Sequence, residues 1–415
     1  MFQINKRTFL AVLATALSAA FLLGGYEFTR VAADSLFVTM YGAAQRPYVM
    51  FVSPLVTVVL VYIFDRLLSL CGGLRTLIYT VTLALFVFVA SFLTISAGVR
   101  FGVIIFYLFA QSYIVVLFEQ YWSFIDSILK KEEAKSYNGP IIGIANLGPI
   151  TAGWLTAKAA MSLGTNTVIL LGAAALIPAM ALAYLAYKIA GEPQPSEAEK
   201  KLHGAGLHLS LFQAKPALLL LALVIALAQG LSCFVQLNYF VTIEQTIPIE
   251  DARTAFMGNF WMTVSAASCI FQFVLTPIML RFLSLRTAMA LIPCVHIAIA
   301  LSLFGSNSLA MAVLAYGGFK VLDYSIFRAG KEIIYIPYSF DVRYRAKQVI
   351  DALVYRFSKG IFSGLISMYE LTVGVFPQIG YPIMSIVISA GWLAAVFPLT
   401  KNENEDSNSM LKGGL

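Results

Sequence analysis

Charge is scarce in this 415-residue chain: Asp, Glu, Lys and Arg make up 12% of it, against roughly a quarter in soluble domains. That is too little to cover a soluble globular surface. Histidine and cysteine are scarcer still, three and four residues. Cys71, Cys233, Cys269 and Cys294 are scattered without metal spacing or a pairing pattern, and His203, His208 and His296 stand in no ligand spacing with any Cys, Asp or Glu. No G-x-x-x-x-G-K-[ST] phosphate loop and no G-x-S-x-G elbow occurs. An ATP-driven pump and a membrane hydrolase therefore lose their main support, and neither enzymatic activity nor a metal or cofactor is expected. The ten-residue alternating segments of an outer-membrane barrel are missing as well.

What the chain has is apolar length. It is 60% hydrophobic and 13% aromatic, with a mean hydropathy of +0.82, the composition of an integral membrane protein. Runs of about 20 mostly apolar residues, enough to cross roughly 30 Å of hydrocarbon as a helix, recur from end to end. Twelve spans are expected, near 8–28, 47–64, 76–97, 101–128, 140–162, 166–188, 217–240, 255–280, 287–304, 309–327, 348–372 and 379–399. The first run is long and unlike a cleavage region, which argues against a removed signal peptide.

Lys and Arg gather at the N-terminus and in the even-to-odd loops, from Lys6 and Arg7 to Arg345 and Lys347. The other side offers only Arg30, Arg46, Arg100, Lys158 and Arg253. The basic excess stays cytoplasmic, so both termini are expected there, in a bacterial inner membrane. The net charge of +7 then reflects topology, and no nucleic-acid partner is expected.

The one long polar interruption, "KIAGEPQPSEAEKKLHGAGLHLSLFQAKP" at 188–216, divides the chain six plus six. The expected layout is an N-terminal half (1–187), a central cytoplasmic loop (188–216), a C-terminal half (217–400) and a disordered acidic tail (401–415). Two six-helix halves that rock about a midplane site are the layout of major-facilitator transporters. The turn "FDRLLSLCGGLRT" sets Asp65 and Arg66 at a helix end, either as inner-gate residues or as simple topology charges.

An ionisable side chain at bilayer depth costs on the order of 3 kcal/mol or more and marks a functional site by default. In "GGYEFTRVAADSLF", Glu27, Arg30 and Asp34 fall on one helix face beside Tyr26. Either Arg30 binds substrate, held by Asp34, or the span ends before Arg30 and these charges lie at the outer surface. Glu119, in the fourth span, is a proton-titrating carboxylate or a structural partner for Arg30. "QGLSCFVQLNYF" gives Gln229, Gln236 and Asn238, amides that read a polar ligand or bond a neighbouring helix.

Residues 331–359, "KEIIYIPYSFDVRYRAKQVIDALVYRFSK", carry six basic and three acidic side chains. Lys331 and Glu332 belong to the tenth-to-eleventh turn as gate candidates, while Asp351, Arg356 and Lys359 enter the eleventh span. Asp351, Tyr355 and Lys359 recur at i, i+4 and i+8. Arg binds phosphate or carboxylate as a fork and Lys as a point charge, so the set suits an anionic substrate. The alternative is that Asp351 and Glu370 neutralise both cations structurally.

Three stretches resemble the nucleotide transporters (ATP/ADP translocases) of plastids and obligate intracellular bacteria. They are "YSIFRAGKEIIYIPYSFDVRYRAKQVIDALVYRFSK", with KE-x-x-YIP, K-x-x-ID and R-x-x-K elements; "ARTAFMGNF" at 252–260; and "KKEEAKSYNGPIIGIANLGPITAG" at 130–153. The resemblance implies a major-facilitator-like fold and antiport of organic phosphates, commonly ATP against ADP and phosphate, without hydrolysis. Two positions depart from that pattern: Ala33 stands where the family has Lys, and Gln236 where it has Glu.

The sequence thus reads as an all-α, twelve-helix secondary transporter, a monomer whose partners are the lipid bilayer and a small anionic substrate. Arg30, Arg356 and Lys359 would neutralise the anion, Asp34 and Asp351 would orient those cations, and Tyr26, Gln236 and Asn238 would supply neutral hydrogen bonds. A proton-coupled transporter of a polycarboxylate, such as a carboxylate-type siderophore, is the alternative. A non-transporting receptor or scaffold is a further one, disfavoured by intramembrane charge in both halves.

Overall fold

The computed structural model describes residues 6–129, 131–192, 216–306, 308–338, 342 and 346–412. Among them no strand occurs. A chain in lipid must satisfy every backbone N–H and C=O internally, and the helix does this within one segment. Twelve helices follow: α1 (Lys6–Tyr41), α2 (Arg46–Cys71), α3 (Gly73–Ser96), α4 (Arg100–Ile128), α5 (Lys131–Leu163), α6 (Thr165–Ala190), α7 (Pro216–Thr246), α8 (Glu250–Ile270, then a π turn at Phe271–Leu275 and Thr276–Phe282), α9 (Leu285–Gly305), α10 (Leu309–Leu322, a π turn at Asp323–Phe327, then Arg328–Tyr335), α11 (a π turn at Gln348–Val354, then Tyr355–Thr372) and α12 (Gly380–Lys412). Ten are long and apolar enough to cross a membrane. α5 and α11 fall outside that set because Gly, Pro, Asn and Thr dilute the apolar residues of "PIIGIANLGPITAGWLTAKAAMSL" in the first and Arg356, Lys359 and Glu370 interrupt the second.

The helices stand where the apolar runs predict them, with longer ends. α1 continues to Tyr41, so Arg30 and Asp34 lie within the helix and are buried. α12 continues to Lys412, where the acidic tail reads as disordered; no Gly or Pro interrupts the chain between Leu399 and Lys412. Most of the expected central loop, 193–215, lies outside the described residues. The links between α2 and α3 and between α5 and α6 are single glycines, Gly72 at φ +79° and Gly164 at φ +83°. A side chain in that left-handed region would cost roughly 1–2 kcal/mol.

The contacts divide the chain into two units. The first comprises Met1–Gly42, Val52–Lys200 and Ile247–Ala266; the second comprises Ala43–Phe51, Lys201–Thr246 and Ala267–Leu415. In the first, α1 packs against α4, α5 and α6. Lipid tails are as apolar as leucine, so helices associate there by close packing of small residues. Gly148 of α5 meets the Ala20 backbone of α1, and Gly172 of α6 meets Thr29 and Gly25 of α1, with no room for a Cβ at either glycine. The start of α8 belongs to this unit: the Arg253 guanidinium donates to the Ser35 carbonyl (3.2 Å) and to Thr39 Oγ1, and Asp251 Oδ1 accepts from the N–H and hydroxyl of Thr165 (2.7 Å each).

In the second unit α7 packs against α10, α11 and α12, and α9 against α12. The first turns of α2 belong here. The Ala43 N–H donates to Glu244 Oε2 (3.0 Å), Ser363 Oγ donates to the Pro47 carbonyl (2.6 Å), and the fully buried Arg46 guanidinium lies 3.4 Å from the centre of the Phe240 ring.

Candidate functional site

Each unit holds a buried polar cluster of its own. In the first unit it is built on α1, whose small residues bring neighbouring helices close while the Tyr26, Glu27, Arg30 and Asp34 face stays polar. Arg30 Nη2 donates to Glu27 Oε2, and the guanidinium lies 3.4 Å from the centre of the Trp261 ring of α8 and 5.0 Å from that of Tyr26. Glu27 is 1% exposed, and its Oε1 has no hydrogen-bond partner among the described residues. Behind them Thr29 Oγ1 and the Tyr113 hydroxyl are 3.2 Å apart, and the Tyr26 and Tyr113 rings lie 6.3 Å apart. Arg carries five N–H groups in a fixed fork, the geometry that matches an oxyanion.

The remaining sequence candidates of this unit lie elsewhere. Glu119 is exposed on α4 and forms no ion pair among the described residues, whereas its neighbour Gln120 is buried and donates to the Gly73 carbonyl (2.8 Å). Arg30 meets Glu27 in the role considered for Glu119. Asp65 and Arg66 are exposed in the last turns of α2, and Arg66 Nε donates to the Tyr62 hydroxyl (3.2 Å).

In the second unit the polar groups come from α7, α10 and α11. Gln229, Gln236 and Asn238 are buried on α7. Arg356 and Lys359 are half-buried on α11. Asp351 is not positioned as its spacing predicts. α11 opens with a π turn over Gln348–Val354, whose i→i+5 bonds widen the helix and break the i, i+4, i+8 alignment. Asp351 Oδ1 accepts from Lys331 (2.8 Å), while the Tyr355 hydroxyl donates to Asp323 Oδ2 (3.2 Å) on α10. Lys347 pairs with Glu332 (2.5 Å). Both gate candidates on α10 therefore bridge to the start of α11. Arg46, Arg253, Trp261, Lys320 and Asp323, all buried, were not singled out in the sequence. For Lys320 a signal existed: a lone cation in the apolar run "LAYGGFKVLDYSIF".

No protein-family model matches the chain. In sequence it is similar to ADP,ATP carrier protein 1 of Chlamydia pneumoniae, 22% identical over 334 residues, which span 69% of this chain and 64% of the carrier. The match thus covers less than two thirds of the carrier's length. In structure it is similar to a D-xylose-proton symporter (TM-score 0.67, 11% identity, 92% of this chain and 97% of the symporter), to a bacterial homologue of the iron transporter ferroportin in an inward-facing state (0.65, 15%, 94% and 100%) and to a nucleoside transporter (0.61, 14%, 96% and 99%). At these identities the structural likenesses establish the fold. The chain is a multi-pass membrane protein with the major-facilitator-like transporter fold, similar in sequence to an ADP,ATP carrier protein.

Proposed function

We propose that this protein is a secondary transporter that carries an anionic metabolite by alternating access, exchanging a nucleotide or a related organic phosphate. The observation that carries the reading is Arg30, a guanidinium 8% exposed within a membrane helix, supported by Glu27 and the Trp261 ring. Such an arrangement binds an oxyanion in a dry site at a strength that water would not allow. Arg356 and Lys359 add positive charge in the second unit, and Tyr26, Gln236 and Asn238 supply neutral hydrogen bonds. Asp34 orients Arg30. Asp351 with Lys331, Glu332 with Lys347, and Asp65 with Arg66 serve as gate residues at the cytoplasmic side, and both termini lie on that side of a bacterial inner membrane. Proton coupling, if present, is carried by Glu27 or Glu119. Similarity to a carrier named for ADP and ATP supports nucleotides as the first substrates to test.

The test is uptake of labelled ATP into proteoliposomes preloaded with ADP, ATP or buffer. Uptake that depends on the preload and falls to background with Arg356→Ala is the expected result. A protein that ignores ATP under every preload overturns the nucleotide reading. Ala33 and Gln236, which remove one cation and one anion from the family pattern, would then direct the next panel to di- and tricarboxylates under a pH gradient.

A further inference from the structure

Lys320 has no role in the reading above, and its surroundings are unusual for a lysine. It is the twelfth residue of the 27-residue span Leu309–Tyr335, so its helix carries it to the middle of the apolar layer. The residue is 6% exposed. Nζ lies 5.9, 5.6 and 5.4 Å from the ring centres of Tyr316, Phe319 and Tyr324, and among the described residues it makes neither a hydrogen bond nor an ion pair. The carboxylate one turn on, Asp323, opens the π turn of α10 and accepts instead from the Tyr355 hydroxyl (3.2 Å). Ring faces hold an ammonium weakly and carry no counter-charge. A membrane-depth cation kept without an acidic partner is the arrangement expected where the counter-charge arrives with a ligand.

The surroundings join Lys320 to the other polar groups of its unit. The Tyr316 ring lies against that of Tyr239 of α7, with centres 5.4 Å apart and planes tilted by 39°, next to Asn238. Tyr355 adjoins Arg356 and stands one turn before Lys359. π turns are frequent at functional sites, and here one opens at Asp323, three residues after Lys320, and another ends just before Tyr355. We infer that Lys320 is an anion-binding residue of the transport site, receiving a phosphate or carboxylate oxygen of the substrate between the Tyr316 and Tyr324 rings. The inference rests on the reading of the chain as an anion transporter and adds a residue to it.

The experiment measures binding of ATP, ADP, inorganic phosphate and citrate to the purified full chain, by calorimetry and by the shift in melting temperature, for the wild type and for Lys320→Gln, Lys320→Arg, Lys320→Met and Arg356→Ala. The wild type is expected to bind at least one of the four. Lys320→Gln should weaken that anion about tenfold or more, the loss of one charge-assisted hydrogen bond, and Lys320→Arg should stay within about threefold, since the charge is kept. In the absence of anion, Lys320→Met should melt about 2 °C or more above the wild type, because it relieves an uncompensated buried charge. The four probes tell a phosphate from a carboxylate source. If Lys320→Gln binds as the wild type does while Arg356→Ala does not, the inference fails and the transporter reading stands. A Lys320→Met protein that melts below the wild type, or does not fold, also overturns it by assigning the ammonium to the fold. A wild type that binds none of the four removes the anion reading and this inference together.

Discussion

Arg30 shows how one residue's chemistry depends on partners near and far in sequence. Glu27, three residues away on the same helix, supplies a carboxylate, and the Trp261 ring of α8 supplies a face 3.4 Å from the guanidinium. A cation over an indole in a desolvated place is worth about 2 kcal/mol. Trp261→Leu, which keeps an apolar side chain but no quadrupole, is therefore expected to weaken anion binding on the order of tenfold while shifting the melting temperature little. Calorimetry on the purified variant checks it; unchanged affinity would mean that the ring only packs. Helical spacing brought out the Glu27, Arg30 and Asp34 face in the sequence. Trp261 was invisible there because nothing local ties it to α1, whereas Lys320 lies inside the expected span 309–327 and was passed over.

At the scale of the helix, small residues and wide turns decide what meets what. α1 lies against α5 where Gly148 faces the Ala20 backbone with no space for a Cβ, whereas Gly143, on the same helix, has open space around it. Gly148→Leu is expected to force the two helices apart at a cost of about 3 kcal/mol or more, seen as loss of folded protein on size-exclusion chromatography. Gly143→Ala should be neutral or stabilise by up to about 1 kcal/mol, since alanine favours the helix. Equal outcomes for the two would refute the close-contact account. Helix positions were legible from apolar length alone, and their extensions to Tyr41 and Lys412 were not, because a helix does not stop where hydropathy falls. The π turns were unreadable too, and they moved Asp351 out of line with Tyr355 and Lys359.

For the whole molecule, the basic bias of the even-to-odd loops sets an expected orientation. A green fluorescent protein fused after Leu415 should be fluorescent in a bacterial host, and alkaline phosphatase at the same place should be inactive; the reverse pattern would overturn the cytoplasmic assignment of that end. The chain also distributes its helices in a way that no division at the central loop foretells. The first turns of α2, Ala43–Phe51, group with α7 and α11, and Ile247–Ala266 of α8 with α1, α5 and α6. Buried arginines fix both, Arg46 on Phe240 and Arg253 on the Ser35 carbonyl.

The sequence by itself determined that the chain lies in a membrane, that it forms twelve helices, and that Arg30, Asp34, Arg356 and Lys359 are cations and acids out of place in hydrocarbon. Those conclusions follow from transfer energies and helical period, which each residue carries with it. Only the tertiary structure decided which partner each charge has: Glu27 and Trp261 for Arg30, Lys331 for Asp351, Tyr355 for Asp323, and three aromatic rings for Lys320. Pairing depends on distances of a few ångströms between helices far apart along the chain, and those distances are set by glycine contacts and π turns that leave no periodic trace in the sequence.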